Sequence, residues 1–298
     1  MAKKIFVGNY KGGVGKTTSI YQIGMHLVNK GKKVLLIDLD PQCSLSEICI
    51  GQENSLNCLK YNECLNYIYD IYLKAKKFPN IEISFNNDIL IKRIPIELSI
   101  YVDYIPSNIF YSGGGLDELE MKMNDTLEDL AILQQFIKKQ RLDSIYDYIL
   151  FDCPPSNNII TQGAFLTSDY FIIPTIVQSL SIRGVAHYIK TIEKIYKKYC
   201  ENHEDADISK LLFGEKSSFL GIFQTLIKSS VNNNTVLNDL NAILDTLNVE
   251  TILKSKGKGP YLFDSIIKNY ENIARNTADG NTVNEYSSLT DEIINLIE

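Results

Sequence analysis

A segment rich in glycine and lysine lies between the first apolar run and the first amphipathic stretch of the chain. It consists of Asn9, Tyr10 and the string KGGVGKTT. Glycines let the backbone curl until successive N–H groups point at phosphate oxygens, and the start of a helix adds partial positive charge. The sequence therefore predicts a nucleotide-binding loop formed by Lys11, Gly12, Gly13, Val14, Gly15, Lys16, Thr17 and Thr18.

Two side chains of this loop suit a nucleotide carrying a magnesium ion. Lys16 is in the position that reaches the β- and γ-phosphates, and Thr17 supplies the hydroxyl that Mg²⁺ needs after a Gly-Lys pair. The loop departs from the usual pattern in one place. That pattern has glycine five residues before Gly15, where this chain has Tyr10, and the chain carries a second lysine, Lys11, beside it.

The string DLDPQ, residues 38–42, follows the second predicted strand. A carboxylate at the carboxyl end of a strand beside the phosphate loop can orient an attacking water and bind the hydration shell of Mg²⁺. The alternative is that one of the two acids, Asp38 or Asp40, caps a helix that begins near Ser44.

A third element is the apolar run of residues 146–151, which ends in Asp152 and is followed by Pro154 and Pro155. A buried strand of this kind, the Walker B form, delivers its final acid to the edge of the sheet, where Asp152 would hold Mg²⁺ through water. The paired prolines stop the strand and redirect the chain.

In type and order these three elements resemble the site of the ParA/MinD group of deviant Walker A P-loop ATPases. Residues 105–108 (IPSN) and 220–225 (LGIFQT) are similar to further elements of that group. The resemblance implies ATP and Mg²⁺ as cofactors, and the absence of an N-K-x-D string also favours ATP over GTP. Residues 266–280 resemble a later segment of the group, but Ile267 stands at a usual proline, which leaves the adenine contacts open.

The resemblance also implies roles for single residues. Lys11 would cross a dimer interface to the nucleotide of the partner, and Asp40 would position or activate the attacking water while Asp38 supports the site. The expected catalytic residues are then Lys11, Lys16 and Asp40. The expected metal ligands are Thr17 and, through water, Asp152 and Asp40.

The elements that position these residues follow from hydrophobic periodicity. Short β-branched runs alternate with longer amphipathic stretches, which is typical of βαβ units and a parallel sheet. We expect an α/β fold, a mostly parallel twisted sheet flanked by helices, forming one domain over residues 1–298 with insertions around 55–99 and 201–218. The predicted strands are residues 4–8, 33–39, 146–151, 171–174, 219–225 and 249–253. The predicted helices are residues 17–29, 61–77, 156–167, 181–200, 235–247 and 289–297.

Composition limits the function classes. The 298 residues are 45% apolar and 22% charged, which is typical of a globular protein, and the net charge of −6 excludes a uniformly basic surface. Apolar runs are too short for a membrane helix and no signal peptide is evident, so we expect a cytoplasmic protein. Cys43, Cys49, Cys58 and Cys64 fall within 22 residues, but their spacing favours free thiols over a zinc site.

Within the ParA/MinD group the chain is most similar to ParA-type partition ATPases. That likeness implies a homodimer when ATP is bound, nonspecific binding to double-stranded DNA at the nucleoid, slow hydrolysis with weak basal activity, and stimulation by a small centromere-binding ParB-type partner. No basic amphipathic tail for a membrane follows Arg275. The expected DNA contacts, with a solvated loop as the alternative, are Lys254, Lys256, Lys258, Lys268 and Arg275.

A second function also fits the same fold. In this alternative the chain is a positioning or cargo-sorting ATPase of the MinD-like kind, whose scaffold is a protein or a membrane in place of DNA. Nucleotide-dependent binding to random-sequence DNA distinguishes the two.

Overall fold

The chain folds around one eight-stranded sheet with helices on both faces. The computed structural model describes residues 1–51, 54–78, 80–97, 100–227, 234–253, 260–268 and 271–298. The strands lie in the order β3-β4-β2-β5-β1-β6-β7-β8. Their bounds are β1 Lys3–Val7, β2 Val34–Asp38, β3 Lys92–Glu97, β4 Ile100–Ile105, β5 Tyr148–Asp152, β6 Tyr170–Thr175, β7 Ser218–Ile227 and β8 Leu262–Lys268.

The helices connect these strands and cover the sheet. Their bounds are α1 Lys16–Asn29, α2 Ser44–Ile50, α3 Leu65–Ala75, α4 Asn87–Leu90, α5 Leu116–Glu120, α6 Leu127–Leu130, α7 Ile132–Lys139, α8 Leu142–Ile145, α9 Ile159–Thr167, α10 Ser179–Tyr196, α11 Ala206–Phe213, α12 Asn234–Thr246, α13 Glu271–Ala278 and α14 Glu285–Ile297. In the described part of the chain, no helix is long and apolar enough to cross a membrane.

Among the described strand pairs, only β3 and β4 run antiparallel, so the predicted α/β class with a mostly parallel sheet is confirmed. β3 is an edge strand, and Pro95 lies in it beside a break in register. Proline lacks an N–H donor and is tolerated at such edges.

One predicted strand was wrong. Residues 249–253 form no strand, although Val249 and Leu253 are buried. Ile252 donates one backbone hydrogen bond to Phe219 O at 3.1 Å, and the hydroxyl of Thr251 donates to the same carbonyl at 3.2 Å. The segment therefore lies beside the start of β7 without building a ladder, and β8 takes the next position in the sheet.

Each face of the sheet has its own apolar core. One contains α3, α7, α9, α10 and α12, with Phe136 and Phe165 almost fully buried. The other contains α1, α2, α13 and α14, with Tyr286, Leu289 and Ile293 buried against α1 and β8. The terminal helix thus packs on the body of the protein.

The sheet order brings the predicted site elements to one edge. β1, which leads into the glycine loop, is flanked by β5 and β6, and β2 lies on the other side of β5. In the register of these parallel strands, Asp152 is level with Val7 on β1 and with Asp38 on β2. The loop and the acids therefore meet at the carboxyl ends of three adjacent strands.

Candidate functional site

The glycine loop has the backbone geometry that a phosphate site needs. Gly13 and Gly15 have φ angles of 69° and 82°, in the left-handed region that favours glycine, and α1 begins at Lys16 directly after them. A Cβ added to Gly12 or Gly13 would meet no atom within 4 Å, so the space above the loop is open. The first N–H groups of α1 have no acceptor within the helix and would bind an anion beside the loop.

Lys16 lies within this space with only 7% of its surface exposed. Its Nζ donates a long hydrogen bond of 3.5 Å to the backbone carbonyl of Lys11, so the side chain folds back over the loop. Burial lowers the pKa of Lys16, while the carboxylates of Asp152 and Asp40 oppose that shift. A phosphate group would give this buried ammonium the anionic partner that its burial demands.

Asp152 has the most unusual environment of the site. The residue is fully buried, and neither carboxylate oxygen has a hydrogen-bond partner of good geometry among the described residues. Burial raises the pKa of Asp152 well above its usual range, and the charge of Asp38 raises it further, whereas the hydroxyl of nearby Thr17 lowers it. A cation bound at this carboxylate would stabilise its ionised form. Asp152 and the half-buried Thr17 therefore fit Mg²⁺, which commonly takes one or two carboxylates and completes its shell with water and phosphate oxygens.

Asp38 is held by donors. Ser46 donates to Asp38 Oδ2 from its hydroxyl at 2.6 Å and from its backbone N–H at 2.8 Å, and the N–H of Asp40 donates to Oδ1 at 3.0 Å. Burial nevertheless raises the pKa of Asp38 to about 6. Ser46 lies in the first turn of α2, whose N-cap residue Cys43 makes no side-chain hydrogen bond to it. Asp38 therefore satisfies an N–H group at the start of α2, the capping role that the sequence left open for one of the two acids.

Asp40 lies at the partly exposed edge of the site. Its Oδ1 accepts the backbone N–H of Gln42 at 2.9 Å, and its own carbonyl accepts the hydroxyl of Ser107 at 3.3 Å. The Ser107 backbone N–H donates to Ser46 Oγ at 2.8 Å. The IPSN element therefore braces the DLDPQ segment, and the Asp40 carboxylate has a fixed orientation within reach of solvent.

The entry to the loop is anchored on α10, and sequence reasoning missed these contacts. Lys11 Nζ donates to Gln178 Oε1 at 3.1 Å, at the residue that precedes α10. The ring of Tyr10 packs edge-on against Tyr188, with centroids 4.7 Å apart, and lies 5.9 Å from the ring of His187. The tyrosine at the usual glycine position thus ties the loop to a neighbouring helix.

A second missed contact comes from β7. The Thr225 hydroxyl donates to the carbonyl of Val14 at 2.9 Å, which fixes the tip of the glycine loop from the neighbouring side. The similarity of residues 220–225 to a known element pointed at this strand, but the role of its final threonine depends on the loop lying across the end of β7.

Of the predicted DNA contacts, Lys254, Lys256 and Lys258 lie outside the described residues. Lys268 is the exposed last residue of β8, and Arg275 is exposed in the last turn of α13.

The six cysteines are free thiols, of which Cys58 is exposed and the others are buried. Within the described ranges, no group of three or more His, Cys, Asp and Glu side chains is arranged to hold a metal ion. Phosphate oxygens and water would complete the shell of a magnesium ion held by Asp152, Asp40 and Thr17.

A family model for an AAA domain matches residues 2–205. The chain is 29% identical over 197 residues to the sporulation initiation inhibitor protein Soj of Bacillus subtilis, covering 66% of this chain and 67% of Soj. It is 28% identical over 190 residues to the chromosome partitioning protein ParA of Caulobacter vibrioides, covering 63% of this chain and 61% of that protein. The chain thus spans less than two thirds of the length of the Caulobacter relative.

Solved structures share the fold over nearly the whole chain. pNOB8 ParA bound to nonspecific DNA superposes with a TM-score of 0.64 at 22% identity, covering 100% of this chain and 99% of that one. Cobyrinic acid a,c-diamide synthase from Mycobacterium smegmatis with bound ATP analog and magnesium superposes with a TM-score of 0.60 at 24% identity. The match covers 87% of this chain and 90% of the synthase chain. A McdA–ATP complex from Cyanothece superposes with a TM-score of 0.65 at 18% identity, and the match covers 99% of this chain and 95% of the McdA chain.

Proposed function

The chain belongs to the ParA-type P-loop ATPases within the AAA domain family, and from this premise we propose that it is an ATP-dependent DNA partition ATPase. It dimerises with Mg²⁺ and ATP, binds double-stranded DNA without sequence preference, and is reset by slow hydrolysis that a small centromere-binding partner stimulates. The cargo is a plasmid or a chromosome. The place of action is the nucleoid in the cytoplasm.

The observation that carries the ATPase part is the buried carboxylate of Asp152, which lacks a donor of good geometry in the described part of the chain and lies close to Lys16. Asp152 through water and the Thr17 hydroxyl would hold Mg²⁺, with Asp40 contributing through water. When bound, the ion neutralises charge on the phosphate oxygens. Lys16 and the N–H groups of the loop bind the phosphates.

The residues of this chain then divide the remaining work. Asp40, oriented by the Gln42 N–H and partly exposed, accepts a hydrogen bond from the attacking water and directs it. Lys11 is exposed at the loop entry, from which it reaches the nucleotide of a second copy. To do so it has to leave Gln178, so dimerisation exchanges one contact of Lys11 for another.

The DNA part rests on family membership and on solved relatives such as pNOB8 ParA bound to nonspecific DNA. The test is binding to random-sequence duplex DNA with ATP, with ADP and without nucleotide, across a salt series. We expect binding with ATP alone that weakens as salt rises, because phosphate contacts release counterions. Absence of binding with ATP at low salt contradicts the proposal and favours a protein or membrane scaffold.

The catalytic assignment has its own test. Asp40→Ala should retain ATP binding, dimerisation and DNA binding but lose turnover, measured as phosphate release. Lys11→Ala should bind ATP yet remain monomeric by analytical ultracentrifugation. Lys60→Ala, which removes one exposed lysine elsewhere, is the matched control. Retained turnover in Asp40→Ala removes Asp40 from the mechanism.

A further inference from the structure

One exposed side of α10 carries a regular row of basic residues. Its members follow one another at intervals of four, three, four and three residues, the spacing that places side chains on one face of a helix. All five are exposed; the first four lie in α10, and the fifth directly follows its last residue. We call them the α10 basic row: Arg183, His187, Lys190, Lys194 and Lys197.

The core fixes the direction in which this row points. The opposite side of α10 buries Ile182, Val185, Ile189 and Ile192, each with at most 6% of its surface exposed, against the sheet and its neighbouring helices. Because this apolar side cannot leave the core, the basic row is held toward solvent as a rigid line. Fourteen residues separate its ends, which is about 21 Å of helix at 1.5 Å per residue.

The charges around the row leave it basic. Glu193 is half-buried and pairs with Lys216 at 3.3 Å, and Asp125 pairs with Lys198. Glu201 is exposed one turn beyond the end of the row. Arg183, Lys190, Lys194 and Lys197 have no salt-bridge partner among the residues that the structure describes, in contrast to the exposed Lys74 and to Lys30 and Lys32.

The protein as a whole is acidic, with a net charge of −6, yet this row is a straight line of positive charge. A polyanion, whose negative charges also follow a line, complements the row in sign and in arrangement. One strand of duplex DNA has a phosphate every 3.4 Å along the axis, so about six phosphates of that strand fall within 21 Å of duplex length, and a straight row contacts those on its own side of the duplex. The row offers four permanent cations, which are spaced about 10.5, 6 and 4.5 Å apart along the helix axis, so it can pair with up to four phosphates.

The row also begins beside the nucleotide loop. His187, its second member, lies 5.9 Å from Tyr10, and Gln178 just before the helix binds Lys11. The nucleotide loop and the first turns of α10 are therefore in direct contact. Arg275 lies on the other side, since α13 packs in the core of the opposite sheet face, and Lys268 is the last residue of β8 in the sheet itself.

We propose that the α10 basic row contacts the phosphate backbone of double-stranded DNA. This rests on the proposed function, since it names a surface by which the ATP-bound protein holds DNA, and it is distinct from the predicted contacts at residues 254–275. The contact is to phosphates, so it carries no sequence preference and depends strongly on salt.

The test compares two double variants of the full chain. Lys190→Ala with Lys194→Ala removes two charges from the middle of the row, and Lys60→Ala with Lys77→Ala removes two exposed charges elsewhere. Each lost phosphate contact lowers the salt slope by about 0.9 and the affinity by on the order of tenfold at 0.1 M salt. We expect a slope smaller by about 1.8 per subunit in the first variant and no change in the second.

Thermal unfolding followed by circular dichroism shows whether both variants are folded, since the changed side chains lie in solvent. If the first variant binds DNA with ATP as tightly as the unmodified protein and with the same salt slope, the inference about α10 is wrong while the proposed function stands. If the unmodified protein itself binds no DNA with ATP, both are wrong. If both variants bind DNA more weakly by the same factor, the loss comes from the change in net charge and not from the α10 basic row, and the inference is wrong.

Discussion

Ser46 connects the two parts of the site that come from different segments, and its replacement by alanine is the sharpest test of the arrangement. The Ser46 hydroxyl donates to Asp38 at 2.6 Å and accepts the backbone N–H of Ser107 at 2.8 Å, and the residue is fully buried. Ser46→Ala removes both hydrogen bonds while the backbone N–H of residue 46 keeps its bond to Asp38. The change thus isolates one oxygen atom.

The expected cost follows from these two bonds. A hydrogen bond to a carboxylate contributes about 1.5–3 kcal/mol, and a buried N–H left without an acceptor costs about 1–3 kcal/mol. We expect Ser46→Ala to lower the free energy of unfolding by about 3 kcal/mol. Because Asp38 also accepts the N–H of Asp40, and Ser107 donates to the Asp40 carbonyl, Asp40 loses part of its support and kcat should fall about ten- to a hundredfold.

Urea denaturation measures the stability and steady-state phosphate release measures kcat. Ser44→Ala is the matched control, because Ser44 is exposed in the same helix. Its free energy of unfolding should change by no more than about 0.5 kcal/mol. If Ser46→Ala is as stable as Ser44→Ala and turns over at the same rate, the hydroxyl bridge between the DLDPQ and IPSN segments does not position Asp40.

Four further substitutions test other parts of the molecule. Asp152→Asn removes a buried charge that has no well-formed hydrogen bond in the described part of the chain, so the unfolding temperature without nucleotide should rise while the stabilisation by Mg²⁺ with ATP is lost. Gly163→Ala brings a Cβ within 2.5 Å of the Leu130 carbonyl oxygen, so the free energy of unfolding measured in urea should fall by about 1–3 kcal/mol. At Gly184, by contrast, an added Cβ meets no atom within 4 Å. Gly184→Ala should therefore raise the free energy of unfolding by up to about 1 kcal/mol, because alanine favours the helical conformation of α10. Thr225→Val removes the hydroxyl that holds the tip of the glycine loop and should weaken ATP binding about five- to tenfold by titration calorimetry, at an unchanged unfolding temperature within a few degrees.

Local signals in the sequence were sufficient for the elements that carry the site. The run before the glycine loop and the runs ending at Asp38 and Asp152 are continuous apolar strands with charged ends, and the structure has β1, β2 and β5 there. Such strands are buried on both faces, so their continuous apolar pattern is strong enough to identify them without knowledge of tertiary contacts. The glycine loop is similarly local, since its conformation depends on positive φ at Gly13 and Gly15.

The features that could not be predicted from the sequence depend on contacts between distant segments. Residues 249–253 have the apolar pattern of a strand, yet the neighbouring position beside β7 is taken by β8, whose pattern is interrupted by Asp264 and Ser265. Both of these residues donate backbone N–H groups to Glu292 of α14 at 2.8 to 2.9 Å, so a helix carboxylate completes a strand that is weak by its own composition. No local pattern contains that information.

Hydrogen bonds between distant segments also connect α3, which lies within the predicted insertion at residues 55–99, to the site. Asn66 accepts the backbone N–H of Asn108 at 2.8 Å, and the buried Asp70, one turn further, accepts the Tyr111 hydroxyl at 2.7 Å. These two residues share one face of α3 and hold the chain immediately after Ser107, which in turn braces Asp40. Movement of α3 would therefore reach Asp40 through a short run of hydrogen bonds, which makes this helix a structural support of the site.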